Sequence, residues 1–261
     1  LLGSHDKTLI GRTVKLKPQE KAASNIRRMF AEISPRYDLL NHLLSLNLDR
    51  SWRRRAVTEL KLRPGAQVLD ICTGTADLAL ECAARDPSPR SRVLGSDFTP
   101  EMIRIGETKR RARRANNLTL LVADSLHLPF PDSVFDAVTV AFGIRNVSSL
   151  DAALHEILRI LKPGGKAAIL EFSTPGRGWF RHAFGFYFRH LLPRVGGWIS
   201  GVRAGADAYT YLPTSVNEWP SPQDFSKTLQ QCGFSSVRHL QLTFGVATLH
   251  MASRSPTSEG T

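Results

Sequence analysis

Three cysteines in 261 residues are too few for a disulfide scaffold. Cys72, Cys82 and Cys232 also lack the close spacing of zinc ligands, so no metal site is expected. So low a thiol content suits a reducing, cytoplasmic compartment. Long apolar runs are missing too: no window approaches the roughly 18 consecutive apolar residues of a membrane span. The opening residues Leu1-Leu2-Gly3-Ser4-His5-Asp6 lack the apolar core of a secretory signal, and the missing initiator Met leaves a trimmed targeting segment open. Acids are scarce, 23 against 35 Lys and Arg, for a net charge of +12. Much of that excess lies in short runs at helical positions, Arg53-Arg54-Arg55 and Lys109-Arg110-Arg111 with Arg113-Arg114, which read as solvated helix faces. Without a zinc knuckle, a helix-turn-helix pattern or a platform of stacking aromatics, no nucleic-acid partner is expected.

What is present is an ordinary globular composition, 42% hydrophobic and 22% charged, enough for one domain with a sizeable core. Residues 1–20 read as a flexible N-terminus and 255–261 as a disordered tail. Between them, 21–254 form a single domain. From Gln19 to about Leu60, Ile26, Met29, Phe30, Ile33, Leu39, Leu40, Leu43 and Leu44 recur at helical spacing, and Pro35 splits the run into two or three helices. Strands then alternate with helices: strand 67–71, helix 76–85, strand 92–96, helix 100–115, strands 118–122 and 135–141, helix 149–161. Lys162-Pro163-Gly164-Gly165 reads as a helix stop and turn before strand 166–172. That alternation predicts βαβ units and a parallel sheet. Residues 176–217, rich in Gly and aromatics, read as a helical cap insertion. A helix over 222–232 and an antiparallel pair, 236–243 and 246–254, finish the sheet.

The chemistry begins at Val68-Leu69-Asp70-Ile71-Cys72-Thr73-Gly74-Thr75-Ala76-Asp77, where an apolar strand ends in a carboxylate and a small-residue turn opens a helix. Small side chains there let a cofactor lie against bare backbone, and a helix N-terminus offers N–H donors to a carboxylate. Asp97 and Asp124 close the next two strands. Three strand-end acids fit S-adenosylmethionine, which offers an ammonium, a ribose diol and an adenine amine and carries no phosphate. A dinucleotide fits poorly, because no glycine follows Gly74 at either later fingerprint position and Asp70 would repel a pyrophosphate.

Asp70 to Asp77, Leu128 to Asp136 and Leu161 to Gly165 resemble class I S-adenosylmethionine-dependent methyltransferases. Their fold is an α/β Rossmann-like, seven-stranded, mostly parallel sheet, here with N-terminal helices and a helical cap. Phe30 to Asn41, Ala141 to Val147, Leu170 to Ser173, Tyr209 to Leu212 and Gly245 to His250 look more specifically like the menaquinone/ubiquinone-biosynthesis C-methyltransferases, over about residues 25–253. The resemblance implies cofactor contacts at Thr75, Asp97, Asp124, Ser125 and the position of Ala141, where the family often has Ser. Asp70 and Gly74 join them from the turn itself. Ala76, where ubiquinone-type members commonly have glycine, favours a naphthoquinol over a benzoquinol.

The implied reaction is methyl transfer to a ring carbon of a polyprenylated quinol, most simply demethylmenaquinol to menaquinol. A methyltransferase of the same fold acting on another lipid or metabolite, and a non-catalytic scaffold subunit, remain alternatives. Arg145 and Asn146 are the candidates for holding the quinol oxygens or an intervening water, with a structural Arg–carboxylate pair as the other reading of Arg145. Tyr37 is a candidate for the pocket wall, whereas His250 reads as packed or solvent-facing rather than catalytic. Residues 178–192 mix aromatics with cations, as an interfacial segment would, or else pack as a helix in the core. The expected partners are therefore the quinol and, peripherally, a membrane surface; a homo-oligomer is left open.

Overall fold

The computed structural model describes residues 18–87, 90–175, 215–216 and 218–256; within these, side chains are described from Ile26 onward apart from those of Arg36, Leu40, Leu43 and Leu44. The cap insertion of the sequence reading, Tyr209 to Leu212 and the aromatic–basic stretch 178–192 lie outside these residues, apart from Ser215 and Val216. So do 1–17 and 257–261.

Helix α1 (Pro18–Ile33) runs into a single 3₁₀ turn at Ser34–Arg36, where Pro35 sits at the first helical positions. Helices α2 (Tyr37–Leu44) and α3 (Leu48–Leu60) follow. The alternating region then gives β1 (Gln67–Ile71), α4 (Asp77–Arg85), β2 (Arg92–Asp97), α5 (Pro100–Ala112), β3 (Leu118–Val122), β4 (Phe135–Ala141), α6 (Leu150–Ile160) and β5 (Leu161–Phe172). The chain continues with α7 (Pro222–Gln231), β6 (Ser235–Leu242) and β7 (Ala247–Ser253). Helices α6 and α7 start where sequence places them, because Ser149 and Ser221 accept from the backbone N–H three residues on, Ala152 at 3.3 Å and Asp224 at 3.2 Å.

The sheet has seven strands in the order β3-β2-β1-β4-β5-β7-β6. All neighbours are parallel except β7, which runs antiparallel to both β5 and β6. One face buries α3 and α4, through Trp52, Val57, Leu60, Leu78 and Ala79. The other buries α6 and α7, through Leu154, Ile157, Phe225 and Leu229. Cover on both faces explains why β1 and β7 are buried along nearly their whole length rather than at alternate residues.

One boundary needs correction. Lys162 to Gly165 is not a turn ahead of the strand but part of β5, which starts directly after α6. Leu161 pairs with Phe135, and the register then slips before Ala137 pairs with Lys166. Gly164 N donates to Arg254 O at 3.0 Å, and Arg254 N donates back to Gly165 O at 2.9 Å. The Arg254 guanidinium also donates to the Leu158, Arg159 and Leu161 carbonyls, which satisfies the end of α6. A Pro-Gly-Gly string survives in a strand here because the slip absorbs its extra length.

Candidate functional site

Helices α4 and α6, which follow the adjacent parallel strands β1 and β4, lie on opposite faces of the sheet. Such a switch point opens a crevice at the carboxyl ends of the strands. The turn leaving β1 is built from left-handed backbone: φ is +50° at Cys72, +55° at Gly74 and +70° at Ala76. Gly74 N donates to Asp97 Oδ2 at 2.9 Å, so β2 holds the turn that β1 starts. A Cβ built at Gly74 would lie 3.6 Å from Tyr37 Cε1, so the ring of Tyr37 faces bare backbone. From β4, Gly143 packs against Cys72 so closely that an added Cβ would stand 2.4 Å from the Cys72 Cβ. Together these loops wall a cleft that includes Phe30, Tyr37, Gly74, Asp97, Phe142 and Asn146. An inner recess continues it past Asp70, Thr75 and Ala141.

The three strand-end acids behave differently. Asp97 lines the cleft, and each of its oxygens accepts one backbone N–H, from Gly74 at 2.9 Å and Thr99 at 2.8 Å. Burial pushes its pKa up, against those same hydrogen bonds. The Thr99 hydroxyl and the Phe98 amide also donate to this carboxylate, which still presents to the cleft the kind of acceptor a vicinal diol requires. Asp70 is 1% exposed, and both its oxygens are engaged, by Thr73 Oγ1 at 2.5 Å and Thr139 Oγ1 at 2.6 Å. Desolvation raises its pKa to about 6 despite the two hydroxyls. Asp70 thus ties the turn to β4 from behind. Asp124 is half exposed, accepts from Leu126 N at 2.9 Å, and is absent from the described cleft wall. Ser125 is buried, with its hydroxyl at the Cys72 thiol, whose pKa burial drives upward.

Arg145 is placed by the structural alternative of the sequence reading. Its guanidinium pairs with Glu171 at the end of β5 and donates to Phe142 O at 2.9 Å. The two side chains are 7% and 1% exposed. Arg145 also lies over the Phe172 ring, 5.7 Å from its centroid. Asn146 and Tyr37 do line the cleft. Burial raises the Tyr37 pKa, while a hydrogen bond from Asn41 and the positive charges of Arg145 and Arg53 pull it back. Of the two readings of His250, the packed one holds: its Nε2 lies 3.0 Å from Pro222 O, Phe225 stands edge-on at 4.8 Å, and burial lowers its pKa to about 4.

The charge runs are not simply solvated faces. Arg54 and Arg111 are 72% and 75% exposed, but Arg53 and Lys109 turn inward at 9% and 20%. Arg53 pairs with Asp49, and Lys109 pairs with Asp38 and Asp77 around the cofactor turn. Helical periodicity held this signal, since Arg53 and Lys109 lie at buried phases of α3 and α5. The Asp151, His155 and Cys232 ligand atoms also gather within 4.8 Å of one another, a grouping invisible at 81 residues' separation. Hydrogen bonds account for it: Sγ donates to the Asp151 carboxylate at 3.6 Å, and His155 Nδ1 lies 2.9 Å from Asp151 O.

A cleft-lining Asp opposite a bare-backbone turn could hold S-adenosylmethionine, with Asp97 available to the ribose and Gly74 and Thr75 to the methionyl part. Fold and turn together define a class I S-adenosylmethionine-dependent methyltransferase. Residues 16–254 match the ubiE/COQ5 methyltransferase family, and the chain belongs to it. It is 48% identical over 230 residues to the ubiquinone/menaquinone biosynthesis C-methyltransferase UbiE of Geobacter sp. strain M21, covering 88% of this chain and 96% of that one. It is 47% identical over 226 residues to the demethylmenaquinone methyltransferase of Thermus thermophilus, covering 87% and 100%. Among solved structures, a SAM-dependent methyltransferase from Aquifex aeolicus aligns at TM-score 0.56 and 19% identity, over 77% of this chain and 88% of that one. The [4+2]-cyclase SpnF aligns at TM-score 0.64 and 16% identity, over 91% and 96%, so the fold alone is shared there.

Proposed function

We propose that this enzyme transfers a methyl group from S-adenosylmethionine to a ring carbon of a polyprenylated quinol, converting demethylmenaquinol to menaquinol. The observation that carries the reading is the match to curated quinone C-methyltransferases at 47–48% identity across nearly their whole length. The cofactor supplies an electrophilic methyl on a sulfonium. With the phenolic proton released to solvent, the ring carbon would bond the methyl as the sulfur–carbon bond breaks, leaving S-adenosylhomocysteine, and the ring C–H proton would pass to the ring oxygen and restore the quinol. Aligning ring carbon and methyl in a cleft closed to water is the protein's main contribution. Asn146 and Tyr37 are the polar groups available to the quinol oxygens. Arg145, paired with Glu171 behind the wall, supports the cleft rather than touching the quinol.

Purified protein given S-adenosylmethionine and a short-chain demethylmenaquinol under reducing conditions should add one methyl group, read by mass spectrometry. Methylation of a benzoquinol analogue alone would move the substrate to the ubiquinone branch, and methylation of neither would end the quinol reading. Asp97→Ala should weaken cofactor binding by about 1.5–3 kcal/mol, the scale of hydrogen bonds to a charged group. Calorimetry showing undiminished affinity would remove Asp97 from the ribose site.

A substrate with a polyprenyl tail resides in a bilayer, so the reading includes peripheral membrane contact. Among the described residues no helix is long and apolar enough to cross a membrane. Leu39, Leu46 and Leu48, on the same segment as Tyr37, are 54%, 67% and 37% exposed, an apolar edge suited to an interface. The stretch 178–192 would add aromatics and the charges of Arg181 and Arg189.

A further inference from the structure

Four side chains from four elements meet at the mouth of the cofactor turn. Thr75 Oγ1 donates to Asp38 Oδ1 on α2. Lys109 Nζ, from α5, donates to Asp38 Oδ2 at 2.9 Å and to Thr75 Oγ1 at 3.0 Å. These three bonds close a ring, Lys109 to Thr75 to Asp38 and back to Lys109. Lys109 also pairs with Asp77 in the first turn of α4. Asp77 is in turn 4.0 Å from Arg53, which pairs with Asp49 on its own helix. Asp38, Asp77 and Lys109 are 31%, 15% and 20% exposed, so solvent screens them only in part. Lys109 is the cation shared by both carboxylates.

Asp38 directly follows Tyr37, whose ring faces the bare backbone of Gly74. Tyr37 in the cleft wall is the direct neighbour of Asp38, and Gly74 is the direct neighbour of Thr75. We propose that Asp38 and Lys109 are positioning residues that lock Tyr37 over the cofactor turn through the Thr75 hydroxyl, so that wall and turn form as one unit. This rests on the methyltransferase site but not on the identity of the quinol. Neither residue needs to touch the reacting atoms: α2 carries no other described hydrogen bond to the turn, and its hold on the cofactor edge passes through Asp38. Loss of either partner releases the same contact, so the two substitutions should not add.

Calorimetric titration with S-adenosylmethionine and with S-adenosylhomocysteine, well below each variant's melting temperature, tests this. Asp38→Ala and Lys109→Met should each raise Kd about tenfold, and the double variant should stay within about twofold of the weaker single one, the sign of a coupled pair. Lys109→Arg should restore affinity to within about threefold, since it keeps the shared cation. Asp38→Asn keeps an acceptor for Thr75 while dropping the charge facing Lys109, and should fall between wild type and Asp38→Ala. A lowered melting temperature with unchanged Kd would make the pair mere packing and overturn the proposal; so would additive losses in the double variant. The readout uses no quinol. A protein that fails to methylate quinols but shows this Kd pattern refutes the substrate reading alone, and the converse refutes the positioning pair alone.

Discussion

Arg145→Ala should lower the free energy of unfolding by about 3–5 kcal/mol, the usual cost of removing one partner from a buried ion pair. The cause is what it leaves behind: Glu171, 1% exposed, with no cation facing it. Burial already raises the Glu171 pKa, and Arg145 is the main influence holding it down. In the variant the carboxyl should take up a proton at higher pH than in wild type. A carboxyl whose folded pKa exceeds its unfolded one loses stability as pH rises through the interval between them. The cost of Arg145→Ala should therefore be greatest at pH 8 and shrink toward pH 5, as urea unfolding at the two values would show. A double replacement with Glu171→Gln should recover much of the loss. A cost below 1 kcal/mol, or one independent of pH, would mean that Arg145 does not stabilise Glu171, and would return it to direct work on the substrate.

Asp70→Asn should separate from wild type as pH rises. In the folded protein Asp70 titrates at about 6 against about 3.9 in an unfolded chain, a difference worth about 3 kcal/mol. The native state holds the proton more tightly, so between pH 4 and 6 wild type gives up that stability as the group ionises. The amide cannot ionise, and the Thr73 and Thr139 hydroxyls can each turn to suit it. The gap in favour of the variant should therefore widen by about 3 kcal/mol from pH 4 to pH 7. Taking the difference between proteins cancels groups that titrate the other way, such as Glu107, whose pKa Arg110 holds down to about 2. A gap that stays flat would show that Asp70 is not buried as an ion.

Much of this was legible in the residues. Apolar runs followed by acids located β1, β2 and β3. The small-residue turn and the blocks around Tyr37 and Asn146 all contribute to the cleft wall. What stayed hidden depends on partners far away in sequence. Nothing in Gly143-Ile144-Arg145 shows that Glu171, 26 residues on, will claim the guanidinium. Nothing in Lys109-Arg110-Arg111 shows which cation meets Asp38. Asp124 resembles Asp97 as a strand-end acid, yet only Asp97 has a neighbouring turn whose N–H draws it inward. The early start of β5 was hidden because Pro-Gly-Gly signals a turn wherever no slip in register accommodates it.

The left-handed backbone at residues 72, 74 and 76 also sets what evolution can write there. Each L-residue in that conformation costs on the order of 1–3 kcal/mol, least for glycine and asparagine and most for β-branched side chains. Ala76 carries this cost while 0% exposed, with only Gly106 leaving room for its methyl. A library randomised at these three positions and selected for folding alone should return Gly and Asn in excess and almost no Val, Ile or Pro. Cys72 and Ala76 would then stand out as residues that folding by itself would not choose.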